Sequence, residues 1–437
     1  MCVSMTGYGR RLSPLRFPFR LSSAPLRKTA AALASACLLT PLATGCGALP
    51  GAGDADGAVT VMTWAPADTS ATNMPGMPAM AQAYARWVNS RGGLGGRELR
   101  VLTCNEGNDP ARAADCARRA VDEGAVAVVG SYSRNSRAAL PPLEAAGIPY
   151  IGGYGVTDDE FSSPVSYPVN GGQSALLAGN GIQLAGVCER VSLVRPDSVS
   201  DSVLSALLNS GLAEGDRRTA ADIPAAVDAG EYTEAALASR SRAGDSGGCV
   251  TAALGERTAH FFDSFRRLPP DGRQVRVASV LGSVDQPLID RTGGARGPFE
   301  GAYVTGWYPE AGDPRWGGMR DVIRAHAFDD DRIDPADTGV QTTWIAYTVL
   351  SQAVASLGED APVTSEALLA AFTRGVRVDT GGLTPELRWR YQDMLGEPDF
   401  PRMVNHQVTF QVVRGGRLVA QRKGFVDVAR TMRKASL

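Results

Sequence analysis

Short apolar runs alternate with longer stretches whose apolar residues recur every three or four positions, a pattern that predicts strands alternating with helices. Val59–Trp64 reads as a strand. Residues 78–91 read as a helix with Met80, Tyr84, Trp87 and Val88 on one face, stopped by Gly92 and Gly93. A second strand over 98–103 leads into a helix over 109–123, where Asp109 fits the N-cap and Pro110 the first helical position. Residues 126–129 and 149–151 are further strands, with a helix ending at Ala146 between them. Strands that alternate with helices in this way imply an α/β fold on a parallel sheet.

After Pro168 the pattern starts again. Helices are expected over 174–185, 198–212, 235–241 and 259–268, with strands over 190–194, 249–254 and Gln274–Val280. A strand over 301–307, a long helix over 337–356, a helix over 365–375 and a hairpin with arms 408–413 and 417–421 around Gly415-Gly416 complete the reading. Two sheets, and so two lobes, are the natural partition of a chain of 437 residues. In the first, the runs Gly130-Ser131-Tyr132-Ser133 and Gly152-Gly153-Tyr154-Gly155 follow strands directly, and open parallel sheets bind ligands at the carboxyl ends of their strands.

With 44 basic and 46 acidic residues, the chain carries no basic excess to favour nucleic acid or a membrane surface. The first 45 residues differ. Six basic residues from Arg10 to Lys28 and no acidic one precede an apolar run over 29–42, too short to span a bilayer, so this segment reads as an export signal. The run Leu42-Ala43-Thr44-Gly45-Cys46 resembles the lipobox of bacterial lipoproteins, which implies acylation of Cys46, cleavage before it, and a flexible linker over 46–57. Four cysteines then remain in an extracytoplasmic setting: Cys104, Cys116, Cys188 and Cys249. Three pairings are possible. Position favours Cys104 with Cys116, a strand end and the following helix, and Cys188 with Cys249, the starts of two strands; four buried thiols are the alternative.

Catalytic motifs find little support. Gly244-Asp245-Ser246-Gly247-Gly248 copies the surroundings of a serine-protease nucleophile, but His260, His326 and His406 all come later, so it reads as a loop before the 249–254 strand. No phosphate-binding loop or nucleophile elbow occurs. Asp329-Asp330-Asp331, Asp334 and Asp337 lack the loop glycine and terminal glutamate of an EF-hand and read as a solvated loop. No cofactor or metal is expected.

Three stretches, AYARWVNSRGGLGGREL (83–99), NDPARAADCARRAVDEGAVAVVGSYS (108–133) and LEAAGIPYIGG (143–153), resemble the branched-chain amino-acid-binding family, the substrate-binding lipoproteins of ABC importers. A weaker likeness returns at FEGAYVTGWYP (299–309). The resemblance implies the type I periplasmic-binding-protein fold, two Rossmann-like lobes with a three-stranded hinge and ligand in the cleft. Crossings near 168–172, 297–302 and 380–386 would put 58–170 and 300–382 in one lobe and 171–299 and 383–437 in the other. It carries ligand-binding roles onto Ser131, Tyr132 and Ser133 in the first loop and Gly153, Tyr154 and Gly155 in the second, where Tyr154 replaces a small residue. Asp285 is the candidate partner for a ligand ammonium, though it equally suits a helix cap; Glu256 and Arg257 are similarly open. The expected protein is therefore a monomeric, lipid-anchored binder of a small solute such as an amino acid or amide, working with ABC permease subunits and without catalysis. A ligand sensor of the same fold is the alternative.

Overall fold

The computed structural model describes residues 57–198, 202–226, 229–244 and 246–435. The export signal, Cys46, the linker up to residue 56 and Asp245 lie outside them.

The first sheet holds β1 (Val59–Trp64), β2 (Leu99–Cys104), β3 (Ala127–Val129), β4 (Tyr150–Ile151) and β5 (Ser166–Tyr167), all parallel, in the order β2-β1-β3-β4-β5. Every residue of β1 is buried, as a central parallel strand covered on both faces requires. Its helices are α1 (Gly76–Asn89), α2 (Pro110–Asp122), α3 (Ser136–Ala146) and the single turn α4 (Asp159–Ser162). Asp109 caps α2 by accepting from Arg112 N at 2.9 Å, with Pro110 at the first helical position, as its spacing predicted.

The second sheet begins after α5 (Gly172–Ala185), with β6 (Arg190–Pro196), α6 (Ser202–Ala213), β7 (Ala221–Ala225), α7 (Thr233–Ala243), β8 (Ser246–Ala252), α8 (Thr258–Arg266), β9 (Gln274–Val280), α9 (Gln286–Arg291) and β10 (Tyr303–Gly306). The chain then returns to the first sheet, where α10 (Gly317–His326) and α11 (Thr338–Ala355) pack on α1, and α12 (Ser365–Arg374) packs on α11. It ends with β11 (Gln407–Arg414), β12 (Arg417–Ala420), β13 (Val426–Asp427) and α13 (Ala429–Ala435). The order is β12-β11-β10-β9-β8-β6-β7, parallel from β10 to β7 and antiparallel across β10, β11 and β12, with β13 against β11.

Close packing and buried polar bonds tie α5 to this sheet. A Cβ on Gly181 would fall 2.2 Å from the Leu208 carbonyl oxygen and one on Gly211 would fall 2.3 Å from that of Ala178, so α5 and α6 touch through backbone. On the opposite side Asn180 donates to Thr305 Oγ1 and accepts from Thr251 Oγ1, while Gln183 donates to the Gln411 carbonyl and accepts from Thr305.

Four readings of the sequence change. β10 pairs with β9 and β11, so the expected crossing at 297–302 falls after Gly306 instead. Residues beyond 386 still pack on the first sheet: Trp389 donates to the Pro168 carbonyl, Phe400 meets Phe161, and Arg402 N donates to the Phe161 carbonyl. The third crossing is therefore at 404–406 rather than 380–386. Ser246 opens β8, where a loop up to 248 was expected. The acidic run divides: Asp329 and Asp331 are exposed, Asp330 pairs with Arg332, and Asp337 caps α11.

Cys104 and Cys116, and Cys188 and Cys249, are each at disulfide distance with Cα atoms 5.8 Å apart. In the second pair, Cys249 lies on β8 opposite Val191 of β6, three residues past Cys188. Peptide mapping without reductant should recover both links. Urea unfolding of C104S/C116S and C188S/C249S chains should show losses of about 3 and about 4 kcal/mol, the larger for the wider loop.

Candidate ligand-binding cleft

A cavity of about 440 Å³ opens where the carboxyl ends of both sheets face each other. From the first sheet it takes Ser70, Thr72 and Met74 after β1, Tyr132 and Arg134 after β3, and Tyr154, Gly155 and Val156 after β4. From the second it takes Pro196 at the end of β6, Leu254, Arg257 and His260 after β8, and Leu281, Gly282 and Ser283 after β9. Gln173 and Leu176 of α5 and Trp307, just past β10, complete the wall. Tyr132, Tyr154 and Trp307 form an aromatic row with centroids 5.1 and 5.2 Å apart. Trp307 Nε1 donates to the Gly172 carbonyl at 2.8 Å, which fixes its ring and leaves an apolar face for packing.

Of the residues singled out in the sequence, Tyr132, Tyr154 and Gly155 line this cavity, whereas Ser131, Ser133, Gly153 and Asp285 do not. Ser131 Oγ accepts from Trp64 N and its carbonyl accepts from Tyr154 N, both at 3.0 Å, so this serine joins the two loops from beneath. Ser133 Oγ donates to Glu106 at 3.2 Å and accepts from Asn135 N at 2.9 Å. Gly153 leaves no room for a side chain, because a Cβ would sit 2.0 Å from Glu160 Oε2. Asp285 caps α9, accepting from Leu288 N at 2.9 Å.

Two buried glutamates that the sequence reading passed over shape the loops. Glu106 accepts from Ser133 Oγ, Asn135 Nδ2 and Asn108 N, holding the loop after β3 against the one after β2. Glu160 accepts from the backbone N–H groups of Gly155, Val156 and Thr157 and so sets the course of the second loop. Burial raises the Glu160 carboxyl to about 7, outweighing those donors. The polar run Asn105-Glu106-Gly107-Asn108 at a strand end was the available signal for the first; nothing local marked Glu160, whose partners are set by the loop's path. Arg134, His260 and Trp307 carry no ligand-binding signal in the sequence, each being an ordinary residue of a loop, helix or strand end when read alone.

Two α/β layers facing each other across an aromatic-walled cavity form the architecture of a two-lobed receptor that closes on a small ligand. The sequence matches the family model described as periplasmic binding protein over residues 49–407, and the chain belongs to that family. Its members are solute-binding proteins, not enzymes. Among solved structures, a possible leucine/isoleucine/valine-binding protein from Rhodopirellula baltica is similar with a TM-score of 0.68 at 14% identity, over 85% of this chain and 98% of that one. A leucine-binding protein from Thermotoga maritima gives 0.63 at 16%, over 84% and 99%. A solute-binding protein of an ABC transporter from R. palustris, in complex with benzoate, gives 0.62 at 14%, over 85% and 98%. These likenesses show the fold. No curated protein matches the sequence significantly.

The Glu160 environment sets a pH dependence. Between the ordinary carboxyl value of 4.5 and about 7, the folded protein keeps a proton that the unfolded chain has released. Stability should therefore fall as pH rises through that window and level off above it, by a few kcal/mol at most. Chemical denaturation at a series of pH values should show this slope in the native chain and a flatter one in Glu160→Gln.

Proposed function

We propose that this protein is the extracytoplasmic solute-binding lipoprotein of an ABC importer, which captures a small organic solute between two lobes and presents it to permease subunits. The observation that carries the proposal is the cavity itself, walled by strand-end loops of both sheets and by the row Tyr132, Tyr154 and Trp307. Solutes named for structures of like fold, leucine and benzoate, are of a size that suits this volume. In this reading residues 58–170 and 307–403 form one lobe and 171–306 and 404–435 the other, with the crossings as hinge. Tyr132, Tyr154 and Gly155 bind ligand directly, and Ser131, Ser133 and Gly153 hold the loops that present them. Cys46 carries the lipid that tethers a monomer to the cell membrane after removal of residues 1–45.

Thermal unfolding of the full-length protein against a panel of amino acids, amides, small acids and sugars tests the binding role. A solute at about a hundred times its dissociation constant should add about 2.7 kcal/mol and raise the midpoint by a few degrees. Tyr154→Ala should weaken that solute by about 2 kcal/mol while the far-ultraviolet spectrum stays unchanged. A flat response across the panel would remove the support for solute capture. The anchor is tested separately: cells fed a labelled fatty acid should label the native chain and not Cys46→Ser.

A further inference from the structure

We propose that the cleft selects an anionic solute, an organic carboxylate with an apolar body and no ammonium group, gripped by Arg134 from one wall and Arg257 from the other. This rests on the solute-binding reading and narrows it. Arg134 follows β3 of the first sheet; Arg257 follows β8 of the second, and His260 stands beside it at the start of α8. Among the described residues, neither guanidinium has a hydrogen-bond or ion-pair partner, and no acidic side chain lines the cavity. Arginines elsewhere in the chain are commonly matched: Arg195 with Asp222, Arg332 with Asp330, Arg390 with Asp393.

The carboxylates that could have served an ammonium are engaged otherwise. Glu106 holds Ser133 and Asn135, Glu160 holds the backbone of 155–157, and Asp285 caps α9. Asp285 and Asp337, whose charges act on the Tyr154 hydroxyl, serve as the N-caps of α9 and α11 and stand outside the cavity lining. An ammonium brought into this cavity would lose its water, find no carboxylate in the wall to pair with, and face two cations. A carboxylate meets the opposite situation, because a guanidinium can give it two parallel N–H donors. Behind the charges lie Met74, Leu176, Leu254, Leu281 and the aromatic row, which suit a branched or aromatic body.

Titration calorimetry of the full-length protein with two matched sets of three probes tests this: 3-phenylpropanoate, its amide and phenylalanine, and likewise 4-methylpentanoate, its amide and leucine. The carboxylates should bind at least about tenfold more tightly than either counterpart, the margin of a charge-assisted hydrogen bond. Arg134→Gln and Arg257→Gln should each erase most of that preference, and Arg257→Lys should keep part of it. Equal or tighter binding of the amide or amino acid overturns the inference and leaves solute binding standing. Carboxylate binding indifferent to both arginine variants overturns the assignment of residues. Absence of binding by every probe counts against both readings together.

Discussion

Backbone passes between the two sheets three times, and one set of buried side chains holds the passages together. Asn170 in the first donates to the Tyr308 hydroxyl in the second at 3.1 Å, and that hydroxyl also meets Thr342 of α11. The Tyr308 carbonyl accepts from Thr409 and Gln411 on β11, just beyond the third, where Asn405 donates to the Val169 carbonyl. Each of these polar groups is out of water, so removing one partner would strand another at a cost of about 1–3 kcal/mol. The network keeps three separate segments in register, and the placement of both strand-end loop sets depends on it.

On that frame the loops are fixed from behind. Ser131 and the two buried glutamates use up the donors and acceptors that strand-end loops usually leave free, and the cavity wall is built instead of rings and long side chains. A wall set in this way needs little reordering when a solute arrives, which is how a preformed site limits the entropic cost of binding.

The parts of the fold legible in the sequence were those where one element explains its own residues. Val59–Trp64 and Gln274–Val280 were read at their true limits because a covered parallel strand is continuously apolar or begins sharply after a turn. Edge strand β7 gives no strand signal: its ADIPA sequence alternates half-buried with exposed positions before Ala225 and contains Pro224, tolerable only at a sheet's rim. Helix α10 was missed because it opens on Gly317 and Gly318, which local propensity disfavours and packing on α1 overrides. The site shows the same division. Tyr132 and Tyr154, singled out at strand ends, line the cavity, whereas Ser131 and Ser133, equally exposed-looking in sequence, are turned inward by partners distant along the chain. The place of β10 likewise depends on β11, about a hundred residues further on, which no local pattern conveys.

Both cysteine pairs join residues of a single sheet layer: Cys104 and Cys116 link β2 to α2, and Cys188 and Cys249 link the segment just before β6 to the middle of β8. Neither spans the three passages. A bond at either place therefore fastens elements within one layer and lays no covalent tie across the cleft.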